Sequence, residues 1–99
     1  FIGNSAYYGG AFHLSAGTAI LDGCRFSGNT AEYGGAIATS QRCTLILRDC
    51  DLSDNSAITR GGAIDFQGVH LGEITGCLFS GNSMPMEDPV SMGGAIYIG

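Results

Sequence analysis

The chain has 99 residues, of which 44% are hydrophobic and 13% charged, with 17 glycines, 2 prolines and a formal net charge of −5. The length allows one domain at most, and so apolar a composition is that of a folded chain rather than a disordered one. Arginine is the only strong base, so no basic surface exists to displace counterions from a nucleic-acid backbone, and the apolar runs are too short to cross a bilayer as helices.

In chain order the same unit recurs. It opens on Phe1-Ile-Gly-Asn4, Phe26-Ser-Gly-Asn29, Leu52-Ser-Asp-Asn55 and Phe79-Ser-Gly-Asn82, at spacings of 25, 26 and 27 residues. A glycine pair follows each time, in Gly9-Gly-Ala-Phe12, Gly34-Gly-Ala-Ile37, Gly61-Gly-Ala-Ile64 and Gly93-Gly-Ala-Ile96. A third piece then leads to a cysteine, as in Thr18-Ala-Ile-Leu-Asp-Gly-Cys24 and Thr44-Leu-Ile-Leu-Arg-Asp-Cys50. Three short pieces of period 2 with glycine corners predict an all-β fold, a right-handed parallel β-helix of about four coils, roughly 25–27 residues and three short strands per coil. Helical repeats do not fit, because the glycine pairs would break each helix. Residues 1–99 read as a single segment, expected to belong to a longer solenoid.

The alternation turns Phe12 and Leu14, Ile37 and Thr39, Ile64 and Phe66, and Ile96 and Ile98 inward after the glycine pairs. The middle pieces turn Ala19, Leu21, Leu45, Leu47, Gly72 and Ile74 inward. The last piece contributes Phe26, Leu52 and Phe79 beside the cysteines. All four asparagines, Asn4, Asn29, Asn55 and Asn82, share one repeat position and are expected to form a ladder that satisfies corner backbone groups. Ser5, Thr30, Ser56 and Ser83 follow as a second polar stack.

Cys24, Cys50 and Cys77 share another position, which stacks them at about 4.8 Å. Free buried thiols are the preferred reading, and a disulfide between neighbours is the alternative. No C-x-x-C pair occurs, and His13 and His70 fall at different repeat positions, so neither a metal nor a cofactor is expected. Asp22 faces Arg48 and Asp51 faces Arg25 one coil away, as solvated ion pairs. Asp49, Asp54 and Asp65 stand apart, and no catalytic set of carboxylates or Ser/His/Asp emerges, so the chain is read as no enzyme.

Between Asn82 and Gly93 the repeat is interrupted by residues 84–92, which hold Met84, Met86, Met92 and both prolines. This insertion is expected to protrude as a loop, either as an adaptable contact segment or as a tolerated insertion. Tyr7, Tyr8 and Tyr33 precede glycine pairs and Tyr97 lies on the outward side of its strand. With the three methionines they are the candidate contact residues, for a protein or a sugar ring, although corner packing accounts for them equally.

The Phe-x-x-Asn and Gly-Gly-Ala-Ile motifs resemble the repeats of the chlamydial polymorphic outer-membrane proteins and of related right-handed parallel β-helix proteins. Leu52 for Phe and Phe12 for Ile are the departures. The resemblance implies a β-helix displayed at the cell surface or outside the cell, like an autotransporter passenger, and a non-catalytic adhesion role toward host or neighbour surface proteins or glycans. The alternative is a structural filament or spacer unit whose coils stack end to end on those of the same or another chain. A polysaccharide lyase or hydrolase, with Asp49 or Asp54 at its centre, ranks third and rests on fold analogy alone.

Overall fold

In the computed structural model, which describes residues 1–40, 42–67, 69–83 and 96–98, every regular element is a strand. Numbered along the chain, β1 (Ser5–Tyr8), β5 (Thr30–Tyr33) and β9 (Ser56–Arg60) form one sheet. β2 (Phe12–Leu14), β6 (Ile37–Thr39), β10 (Ile64–Phe66) and β13 (Ile96–Ile98) form the second. β3 (Gly17–Asp22), β7 (Cys43–Arg48) and β11 (Val69–Thr75) form the third, and β4 (Arg25–Ser27), β8 (Asp51–Ser53) and β12 (Leu78–Ser80) the fourth. Every pairing is parallel and joins a strand to its counterpart one coil away. This is a short parallel β-helix, the architecture the repeat demands.

Among the described residues, the first three coils each carry four strands, not three. The extra sheet is β1-β5-β9, built from the residues after each asparagine, which the sequence presents as a polar corner. Those segments extend because they alternate too: Ala31 and Ala57 are buried while Thr30 and Ile58 are exposed.

The core is a set of columns. Phe26, Leu52 and Phe79 are in register, with Phe1 stacked on Phe26 at 4.8 Å and 4°. Ile37 lies over Ile64, and Leu45 and Leu47 fill the third sheet's inner face, none of them with exposed surface. Each such burial contributes about 1.5–3 kcal/mol relative to exposure. Leu52 replaces a phenylalanine without leaving the column. Gly72 pairs with Leu45 but is exposed, and with no side chain it adds nothing to the core.

The glycine pair makes the bend between the first and second sheets. Gly34 has φ +65°, a conformation that side chains disfavour. Gly35 allows a close backbone approach: a Cβ there would come within 2.6 Å of Ser56 N. Asp49 (φ 53°) and Asp54 (φ 56°) hold the same left-handed backbone at two other turns, where their coil equivalents are Gly23, Gly76, Gly28 and Gly81. Aspartate tolerates that conformation better than most residues. The two candidates for a lyase or hydrolase centre are therefore exposed turn residues.

Candidate functional site

At the end of the first sheet the bend brings the last residues of its strands against the outward residues of the second sheet. Tyr8 and Tyr33 are in register, and their rings stack at 5.3 Å and 18°. Arg60 follows in the same row, with its guanidinium carbon 4.4 Å from the centre of the Tyr33 ring. From the neighbouring sheet His13 stacks on Tyr8 at 5.4 Å, and Asp65 pairs with Arg60 at 3.5 Å. Tyr7 meets Tyr8 and Tyr33 edge-on, at 4.7 and 5.5 Å.

The row has a buried end and an open end. Asp65 is 1% exposed, and burial pushes its carboxyl above the ordinary carboxylate value, opposed by the Gln67 amide, which donates at 3.1 Å, and by Arg60. At the other end Tyr7 is 60% and Tyr8 44% exposed. A hydrogen bond with Tyr33 raises the Tyr7 phenol above its ordinary value. Tyr7, Tyr8 and Tyr33 are thus brought together. Tyr97 pairs through its backbone with Asp65, its side chain lying outside the described residues, as do Met84, Met86 and Met92.

Arg60 and Asp65 were not singled out by sequence reasoning. The signal existed for Arg60, which precedes Gly61-Gly62 as Tyr8 precedes Gly9-Gly10 and Tyr33 precedes Gly34-Gly35. For Asp65 it did not, since period 2 turns the residue outward and says nothing of the row that covers it.

Inside the corner that precedes the first sheet, Asn29 and Asn55 are fully buried. Asn4 Nδ2 donates to Asn29 Oδ1 at 3.1 Å, Asn29 Nδ2 to Asn55 Oδ1 at 2.9 Å and Asn55 Nδ2 to Asn82 Oδ1 at 3.0 Å. The second amide hydrogen turns back to a carbonyl: Asn29 to Phe1, Asn55 to Phe26 and Asn82 to Leu52. This arrangement stabilises the coil and offers nothing to a ligand.

The four cysteines are free thiols. Buried Cys50 donates to the Leu21 and Arg48 carbonyls at 3.3 Å, its own N–H donates to Cys77 Sγ at 3.4 Å, and burial raises its thiol pKa. Cys43, off that column, donates to the Ser40 carbonyl at 2.8 Å. Arg25 and Asp51 form an exposed pair at 3.9 Å, whereas Asp22 and Arg48 share a register position but no ion pair among the described residues.

One family model matches: the Chlamydia polymorphic membrane protein (Chlamydia_PMP) repeat, over residues 23–40. The repeat is similar to that family's. The matched stretch holds both motifs, Phe26-Ser-Gly-Asn29 and Gly34-Gly-Ala-Ile37, and so runs from the asparagine corner through β5 to the bend that carries Tyr33. No curated protein and no solved structure matches the chain.

Proposed function

We propose that the chain is a non-catalytic segment of an extracellular, surface-displayed β-helix that makes adhesive contacts with proteins or glycans of a host or neighbouring cell. The observation that carries this reading is the exposed aromatic pair Tyr7 and Tyr8, Tyr8 stacked on Tyr33 and His13 and Tyr7 set edge-on against Tyr8 and Tyr33, rather than buried in the core. Large rings fixed in place at an exposed surface lose little freedom on binding and exclude much water, which suits them to be contact anchors. The similarity to a membrane-protein repeat supports surface display. The turn geometry of Asp49 and Asp54 supports a role without chemistry.

The test is adhesion. Beads carrying the full chain are counted on a panel of eukaryotic cells, beside beads carrying the Tyr7→Ala/Tyr8→Ala double variant. Retention that falls with the double variant supports the reading. Equal retention of both, or of neither, overturns it.

A further inference from the structure

Beside the tyrosine row, the outer face of the first sheet forms an open groove of about 420 Å³, within the size range of small-ligand sites. Its floor is a line of hydroxyls, Ser5, Thr30 and Ser56, in pairing register and about 4.8 Å apart. Tyr7, Glu32 and Ile58 flank it, and Tyr7 and Ile58 are 60% and 46% exposed. The three floor hydroxyls make no hydrogen bond among the described residues. Glu32 Oε1 accepts from Thr59 Oγ1 at 2.7 Å, which holds the carboxylate in place and leaves its second oxygen without a partner among those residues.

We propose that this groove binds a neutral oligosaccharide, laid along the helix axis across the Ser5, Thr30 and Ser56 floor with one ring against Tyr7. The inference rests on the reading of the outer face as a contact surface and names its ligand class.

The chemistry of the groove selects that class. A pyranose presents an apolar C–H face, which packs on an aromatic ring, and a rim of hydroxyls that both donate and accept. Serine and threonine hydroxyls do the same, so each can serve a sugar hydroxyl in either sense. Glu32 adds an acceptor of fixed direction, and such charge-assisted hydrogen bonds are the stronger kind. An added peptide strand is a poor fit, because the groove lies on the sheet's face and the backbone groups of β1, β5 and β9 already bond one another. An acidic polysaccharide is disfavoured by Glu32 and by the net charge of −5.

The experiment is a titration of the full chain with cellotetraose, chitotetraose and tetragalacturonate, followed by calorimetry and by the shifts of its backbone amide signals in NMR. At least one neutral tetrasaccharide is expected to bind, shifting the signals of Ser5, Thr30 and Ser56. Tyr7→Ala and, separately, Thr30→Val should each weaken that binding roughly tenfold, and Tyr7→Phe should keep it within about twofold. Thr30 is exposed, so Thr30→Val tests the floor without disturbing the core. The proposal is overturned by no neutral binding at millimolar concentration, by binding that survives both variants, or by tighter binding of tetragalacturonate. Periodate oxidation of the target cells separates the two readings. Tyrosine-dependent bead adhesion that persists after oxidation leaves the contact function standing and removes the glycan. Tetrasaccharide binding without any bead adhesion leaves the groove standing and removes the cell-contact role.

Discussion

Asn55 Oδ1 accepts two hydrogen bonds from Asn29, one from its backbone N–H at 3.0 Å and one from its side-chain amide at 2.9 Å. Both residues are fully buried, so neither donor of Asn29 can turn to water instead. Replacing Asn55 by alanine strands both, and each buried unpaired donor costs about 1–3 kcal/mol. Asn55→Ala should therefore lower stability by about 3 kcal/mol or more in urea denaturation. Asn55→Asp should also destabilise, since a carboxylate cannot donate to the Phe26 carbonyl that Asn55 Nδ2 now reaches. An aspartate variant as stable as the parent would refute that account of the column.

The bend makes a sharper prediction. Gly35→Ala drives a methyl group into the backbone at Ser56 N and Gly62 O, neither of which can move without parting two coils. Gly17 has φ +94° but open space around it, so Gly17→Ala carries backbone strain of about 1–3 kcal/mol and no collision. Thermal melts should rank the parent first, Gly17→Ala next and Gly35→Ala last, with Gly35→Ala unfolded or nearly so.

Asp65 gives a pH dependence of definite sign. Burial raises its carboxyl in the folded chain, so the folded state holds this proton at pH values where the unfolded chain has released it. The contribution of Asp65 to stability is therefore greatest below its ordinary value of 3.8, falls as pH rises from there through the folded value, and is level above it. Asp65→Asn should make the loss of stability across that window shallower. Arg60→Met, which removes the cation opposing the shift, should make it steeper. Urea midpoints from about pH 3.5 upward test both variants, and a window unchanged by Asp65→Asn would contradict the assignment.

The cysteines should separate by reactivity. Thiolate is the species that alkylating reagents attack, and Cys50 is both buried and raised in pKa. In the folded chain at neutral pH iodoacetamide should modify Cys24 and Cys77, which are half-buried, before Cys50 and Cys43, with all four reacting once urea is added. Mass analysis of peptides at successive times reads the order.

The coil was legible because each of its constraints acts once per repeat. Phe26, Leu52 and Phe79 share a position in the sequence and a column in the core, and the glycine pairs mark where backbone must approach backbone. The fourth strand was hidden by composition: Ser5, Thr30 and Ser56 read as a corner because polarity at a turn and polarity on an outer face look alike in one dimension. The site was less legible for a related reason. The Tyr33–Arg60 contact follows from equal rank before a glycine pair, but one extra residue separates Arg60 from Ser56 compared with Tyr33 from Thr30, and the strand absorbs it at an irregularity after Ala57. The Arg60–Asp65 pair depends on the angle between two sheets, which no spacing states.

The asparagine column also has a direction. The amide oxygens of Asn29, Asn55 and Asn82 each receive from the coil before, so the side-chain dipoles point one way along the axis and polarise one another. Within the column Asn29 and Asn55 each give two donors, the backbone N–H and one amide hydrogen, to the next oxygen and receive two on their own. A solenoid built on this rule can be lengthened or shortened by whole turns without adding an unpaired amide inside the column, which frees the number of repeats to vary while the surface each turn presents changes on its own terms.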